Sequence, residues 1–433
     1  MKGIISMKCA SKIMRLYAVT DRAWLNGETL YEQVEKALKG GVTCVQIREK
    51  EMSHEDFLKE AVEINALCKK YSVPLIINDD VQAAVECGAD GIHVGQEDMK
   101  VEDVRKIVGD NMIIGVSVIN AEQAKKAVEG GADYLGAGAV FPTSTKLDAD
   151  YMTSRELKEV CALSDVPVVA IGGINKNNIT KLKGSGIDGV ALVSAIFASK
   201  DITNACRELL ALSEQTVKTK IAGAVFDMDG TLLDSMPMWD NIGTDLVKLK
   251  GCTPIPGLRQ SIRSMSLYQA ACFIKENHPI GDSVPEIMDG INKLTEDYYF
   301  NKAAAKENVR EFLTHLKDGG VKMCVATATD KYLAEAALKK AGLSDFFEKI
   351  FTCTEIGHGK NKPDIFNRAL EYLAVDKDKL MIFEDASHAA ETAKKAGFKV
   401  CGVYDSAETD FDKLLDNSDI YIKSFKKAGD YID

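Results

Sequence analysis

Through the first half of the chain, short β-branched runs alternate with longer stretches in which apolar residues return every three or four positions. The runs are Leu16 to Thr20, Val42 to Ile47, Pro74 to Asn78, Gly91 to Val94, Ile113 to Val118, Tyr134 to Ala137, Val168 to Ile171 and Gly189 to Leu192. Between them, Glu28 to Lys39 and Glu55 to Lys70 carry the helical period. Alternation of eight strands with helices over about 200 residues predicts a parallel sheet closed as a (β/α)8 TIM barrel. Gly88-Ala89-Asp90-Gly91, Gly131-Ala132-Asp133-Tyr134 and Gly186-Ile187-Asp188-Gly189 each precede a predicted strand, with the first glycine as a helix C-cap.

A polar stretch, Ser213 to Lys220, separates this pattern from a new strand, Ile221 to Phe226. We place the boundary near residue 217, with a barrel over 14–216 and a second domain over 218–433. Residues 237–303 read mostly helical, after which strands return at Val321 to Ala326, Lys349 to Thr352, Leu380 to Phe383 and Lys399 to Val403. This predicts a doubly wound, Rossmann-like α/β core (218–236 and 304–433) carrying a helical insertion.

Acidic residues number 65 against 54 basic ones, a net charge of −11, so bulk attraction to nucleic acid is not expected and any phosphate must be held locally. No apolar run approaches the roughly 18 residues of a membrane span. Lys8 and Lys12 interrupt the N-terminal stretch before a signal sequence can form, and the cysteines form no C-x-x-C pair. The expected setting is cytoplasmic, with phosphorylated small molecules as partners; the patterning assigns no oligomeric state.

On a barrel, chemistry belongs where strands run into the loops at their C-terminal ends. Gln46, Arg48 and Lys50 alternate there, so an amide and two cations share one face. Asn78 and Asp79 end the third strand, and His93, Gln96 and Asp98 follow the fourth; Asp79 and Asp98 are a candidate pair for Mg²⁺. Ser117 ends the fifth. The loop Phe141 to Lys146 offers Thr143, Ser144, Thr145 and a cation, while Gly172-Gly173 and Val193-Ser194 present backbone amides for a second phosphate. Singly, each has a plainer explanation: a solvated charge, a turn, a packed histidine. Their recurrence at one end of successive strands favours a site.

These motifs together resemble thiamine-phosphate synthase over about residues 14–213. The resemblance implies that a pyrimidine diphosphate and a thiazole phosphate are joined to give thiamine phosphate and pyrophosphate. It places Gln46, Arg48, Lys50, Asn78, Ser117 and Lys146 on the pyrimidine diphosphate and Mg²⁺ on Asp79 and Asp98. Thr143, Ser144, Thr145, Gly173, Val193 and Ser194 fall on the thiazole phosphate. The electron-rich pyrimidine can expel pyrophosphate and leave a cation for the thiazole nitrogen to trap, so Arg48, Lys50 and Lys146 are expected to stabilise the leaving group.

The second constellation begins at Asp227-Met228-Asp229-Gly230-Thr231, two carboxylates ending a hydrophobic strand. Asp227 suits nucleophilic attack on phosphorus and Asp229 suits acid/base work. Thr327, then Lys362 in Lys362-Pro363-Asp364, then Glu384-Asp385 follow in order. Together they resemble the haloacid dehalogenase superfamily of phosphohydrolases over about residues 220–433. The resemblance implies phosphate held by Thr327 and Lys362, and Mg²⁺ held by Asp227, Asp385 and the Asp229 carbonyl, under a cap formed by 237–303. Where many members have Glu-Asp-Ser-x-x-Gly, this chain has Glu384-Asp385-Ala386-Ser387-His388-Ala389.

The expected protein is a synthase fused to a Mg²⁺-dependent phosphatase, whose substrate could be thiamine phosphate by chemical adjacency. Two alternatives compete for the second half. One is a different phosphate ester or a sugar-phosphate mutase, disfavoured because Arg263 is followed by Ser264 and Met265 and not by an acid. The other is a non-catalytic binding module, disfavoured by retention of the acidic set.

Overall fold

The computed structural model describes residues 9–49, 52–142, 151–239, 241–262 and 265–433. Lys50, Thr143, Ser144, Thr145, Lys146, Arg263 and Ser264 lie outside the described residues. The chain forms two compact units that divide between Thr219 and Lys220.

The first unit is a closed parallel barrel of β1 (Leu16–Val19), β2 (Cys44–Ile47), β3 (Leu75–Asn78), β4 (Gly91–Val94), β5 (Ile113–Val118), β6 (Tyr134–Ala137), β7 (Val168–Ile171) and β8 (Gly189–Leu192), in that order around the ring. The predicted TIM barrel is thus the observed one. Helix Leu30–Lys39 shows why the periodicity was readable. Leu30, Gln33, Val34, Ala37 and Leu38 form its buried stripe, and Thr29 closes a capping box with Glu32.

The repeated Gly-x-Asp tetrads have a second purpose. Asp90 accepts from the Leu75 amide at 2.9 Å, Asp133 from that of Ile114 at 2.9 Å and Asp188 from that of Val168 at 2.8 Å. Each aspartate therefore ties the start of one strand to the preceding neighbour in the ring.

The barrel interior is filled by Tyr17, Val19, Cys44, Ile76, Ile113, Tyr134, Val169 and Ala191. Two glycines make room for its largest polar members. A Cβ on Gly115 would lie 2.0 Å from the Tyr134 ring, and one on Gly136 would lie 3.0 Å from His93 Cε1.

The second unit is a six-stranded parallel sheet of β9 (Gly223–Phe226), β10 (Lys322–Thr327), β11 (Lys349–Thr352), β12 (Leu380–Glu384), β13 (Lys399–Val403) and β14 (Ile420–Ile422), ordered β11-β10-β9-β12-β13-β14. β14, three residues long, was not among the expected strands. Strand β9 sits where the order reverses, and Phe226 pairs in register with Val325 on one side and Phe383 on the other. Residues just beyond these positions therefore converge at the switch point where such sheets bind ligands. Between β9 and β10 the chain is helical, and Ile242, Leu246, Ile274, Ile287 and Ile291 belong to a separate apolar core there.

Candidate active sites of the two units

At the mouth of the barrel, the strand period and the register bring the described sequence-predicted residues to one end. Gln46 is buried on β2, and Asn78 on β3 is paired with His93 on β4. Asp79 and Asp98 are exposed in the loops that follow those two strands, and Asp98 accepts from the Gly95 amide at 2.7 Å. Arg48, beyond β2, is half-buried, with its amide donating to Thr20 Oγ1. Gly173 has φ 64°, and a Cβ there would strike the Pro142 carbonyl oxygen at 2.3 Å. That close approach seats Phe141 and Pro142 against Gly173. Val193 caps the short helix Ser194–Phe197, and Ser194 is exposed.

Beneath the mouth runs a buried polar line. Gln46 Nε2 donates to Tyr17 Oη at 2.8 Å, and the Tyr17 and Tyr134 hydroxyls lie 2.8 Å apart. Tyr134 Oη is 2.8 Å from His93 Nδ1, and His93 Nε2 is 2.9 Å from Ser117 Oγ. Burial pushes the His93 imidazole down to about 4, so it is neutral near pH 7. Burial also pushes both phenols up.

In the second unit, Asp227 follows β9 and its amide bonds to the Phe383 carbonyl. Lys360, only 7% exposed, ion-pairs with Asp227 and lies 2.6 Å from Glu384 Oε1. Burial would lower its ammonium, but the two carboxylates outweigh that and hold it above the ordinary value. Ligand oxygens of Asp227, Glu384 and Asp385 all lie within 4.8 Å of one another. Asp385 accepts from Thr231 Oγ1 at 2.7 Å. Burial, and then the charge of Asp227, raise the Asp385 carboxyl well above its ordinary value; burial raises Glu384 to about 7. Such crowding of buried oxygen donors fits a hard divalent cation such as Mg²⁺. Gly230, at φ 88°, is forced by the same crowding, because a Cβ there would sit 2.4 Å from Asp385 Oδ2.

Asp229 points elsewhere and is held by three hydroxyls: Ser235 at 2.6 Å, Tyr299 at 2.8 Å and Thr329 at 2.7 Å. Burial, and then Asp227, raise its carboxyl, which suits a group that must carry a proton. A cavity of about 190 Å³ opens over this set. Its floor is Asp227, Asp229, Thr327 and Lys360, and its roof includes Trp239, Ile242, Ile262, Met265 and Leu267 from the helical insertion.

A family profile described as thiamine monophosphate synthase matches residues 16–196, and one described as haloacid dehalogenase-like hydrolase matches residues 224–403. The thiamine-phosphate synthase of Clostridium tetani is 48% identical over 194 residues, which are 93% of its length and 45% of this chain. The chain belongs to the thiamine-phosphate synthase family. C-terminal to the synthase unit in sequence it carries a haloacid dehalogenase-like hydrolase unit. A solved thiamine phosphate pyrophosphorylase from Pyrococcus furiosus is 36% identical, with 48% of this chain and 98% of that one covered, at a TM-score of 0.45. A β-phosphoglucomutase from Clostridium difficile is 19% identical, with 48% and 92% covered, at a TM-score of 0.41.

One expectation for the hydrolase unit needs correcting. Lys362 is exposed, and Lys360 is the lysine buried against Asp227. Both precede the same helix, Asp364–Leu373, and the Lys-Pro-Asp spelling drew attention to the nearer one. The turn from Gly359 to Lys362, closed by a 3.1 Å backbone bond, separates them and sends Lys360 inward.

The altered Glu384-Asp385 loop runs directly into helix Ser387–Lys395. Glu408 accepts from the Ser387 amide at 2.8 Å at the start of helix Ser387–Lys395, and Ala389 is buried in the core. Tyr299, Ser235, Thr329 and Thr231 were not legible in sequence as site residues. A hydroxyl within or beside a motif has no spacing signal of its own, and Tyr299 reaches Asp229 from 70 positions away.

Proposed function

We propose that the synthase unit condenses 4-amino-2-methyl-5-(diphosphooxymethyl)pyrimidine with a thiazole phosphate, and that the hydrolase unit removes the phosphate of the thiamine phosphate so formed. In the barrel, Gln46, Asn78 and Ser117 bind and orient the pyrimidine, while Arg48, Lys50 and Lys146 hold its diphosphate. Gly173, Val193, Ser194 and the hydroxyls of Thr143, Ser144 and Thr145 receive the thiazole phosphate. Asp79 and Asp98 would hold Mg²⁺ against the diphosphate. Preorganised charge at the leaving group lowers the barrier to its departure.

In the hydrolase unit the observation that carries the proposal is Lys360 between Asp227 and Glu384, with Asp385 inside the same cluster. Asp227 attacks phosphorus, forming an acyl phosphate as the ester P–O bond breaks, and Asp229 donates a proton to the leaving oxygen. Asp229 then takes a proton from the water that cleaves the acyl phosphate, which frees inorganic phosphate and regenerates Asp227. Lys360 and the Thr327 hydroxyl hold the phosphoryl oxygens. Mg²⁺, held by Asp227, Asp385 and the Asp229 carbonyl, would offset the charge of the phosphate and its nucleophile. The partly apolar roof of the cavity supports a phosphate ester with an organic body, and thiamine phosphate, with an aminopyrimidine joined through a methylene to a thiazolium, is the one the attached unit would make.

The test gives full-length protein both barrel substrates with Mg²⁺ and follows products by chromatography, with Asp227→Asn as control. Free thiamine in the wild type and thiamine phosphate in the variant is the expected result. Undiminished thiamine phosphate in the wild type, with other esters hydrolysed, would reject the substrate and keep the phosphatase.

A further inference from the structure

We propose that Tyr17, Tyr134 and His93 are positioning residues for the synthase reaction, a proton-ordered chain joining Gln46 to Ser117 so that one end offers the pyrimidine an acceptor and the other a donor. The inference rests on the assignment of Gln46 and Ser117 to the pyrimidine.

The argument is a count of protons. A phenol has one proton to give, and an imidazole nitrogen that accepts a hydrogen bond is bare, which leaves the ring proton on the other nitrogen. Tyr17 Oη accepts from Gln46 Nε2, so its own proton goes to Tyr134, 2.8 Å away. The Tyr134 proton then goes to His93 Nδ1, which leaves the imidazole proton on Nε2, donating to Ser117 Oγ at 2.9 Å. Ser117, already accepting, has its own hydroxyl proton left to donate outward. At the far end the Gln46 amide has used an N–H and keeps its carbonyl oxygen as an acceptor. An aminopyrimidine presents the matching pair, an N–H donor on its exocyclic amine and a bare ring nitrogen.

Packing alone does not call for this chain, since phenylalanine would fill the same interior without hydroxyls to satisfy. The sequence instead keeps glycine at two strand positions, Gly115 and Gly136, where any Cβ would meet the Tyr134 ring or the His93 imidazole. Glycine within a strand is a local weakness, and here it coincides with both ring systems. Gln96 Nε2, bonded to the Ser117 carbonyl at 2.6 Å, holds the outer end of the line in place.

The experiment has two arms. In full-length protein labelled with ¹⁵N-histidine, long-range proton–nitrogen spectra, assigned with His93→Gln, should show His93 protonated on Nε2 and bare on Nδ1. A proton on Nδ1 overturns the proposal, and this arm needs no variant to be active. Kinetically, Tyr134→Phe keeps the ring and breaks the chain. It should raise KM for the pyrimidine diphosphate roughly tenfold, the worth of about one hydrogen bond, and leave KM for the thiazole phosphate unchanged. Equal changes in both constants, or none, overturn the chain. Ser117→Ala separates the two failures. If it raises the pyrimidine KM while Tyr134→Phe is silent, the assignment stands and the chain falls; if it leaves that KM unchanged, both fall.

Discussion

Lys360 Nζ lies 2.6 Å from Glu384 Oε1 with both side chains almost wholly buried. The pair anchors the lysine from one side while its remaining protons face Asp227, so the cation is set beside the nucleophile before any phosphate arrives. Removing it leaves buried carboxylates without their counter-charge. Lys360→Ala should therefore cut hydrolysis of an aryl phosphate by about 10²- to 10³-fold in kcat. Lys362→Ala, at an exposed position, should stay close to wild type; the reverse ranking in steady-state assays would return the role to Lys362.

Asp227→Asn should abolish phosphatase turnover and leave thiamine phosphate formation intact, since an amide is a poor nucleophile and the synthase motifs lie in the other unit. Rapid quench with a ³²P-labelled ester should trap phosphate on the wild type and none on the variant. Continued hydrolysis by the variant would indicate direct attack by water.

Stability of the hydrolase unit should depend on pH and Mg²⁺ together. Glu384, raised by burial to about 7, and Asp385 and Asp229, also raised mainly by burial, bind protons more tightly folded than unfolded. Their contribution is present at low pH and is lost as pH rises from the ordinary carboxylate range through about 7. Lys360, a cation also raised, keeps its contribution across that window because it is protonated throughout it. Without divalent cation the melting temperature should fall between about pH 5.5 and about pH 8, and Mg²⁺ should raise it more at the higher pH. Scanning fluorimetry with and without EDTA checks this. An Mg²⁺ effect of equal size at both pH values would contradict it.

Lys146→Ala should lower synthase turnover by on the order of 10²-fold if the lysine meets the departing pyrophosphate mainly in the transition state. Steady-state rates with both substrates saturating measure this, with circular dichroism to confirm folding. An unchanged rate would remove Lys146 from the leaving-group site.

Much of this protein is written in short-range pattern. The short strands of the barrel, the capped amphipathic helices between them and the Asp-Met-Asp-Gly run after β9 follow from local periodicity and capping, which depend on neighbours in the chain. So the barrel and the Rossmann-like sheet were legible before any coordinates, as was the candidate set Asp227, Asp229, Thr327 and Asp385 that lines one cavity. The choice of Lys360 over Lys362 was not, because both lie in one tight turn and only its direction decides which ammonium is buried. The hydroxyls on Asp229 and the line from Gln46 to Ser117 were equally invisible. Their members come from separate strands and helices, and nothing in their spacing marks them. Sequence determines which elements form and where their chemistry-bearing ends lie; the closing of the sheets decides which side chains share a buried space, and burial is what turns those neighbours into partners.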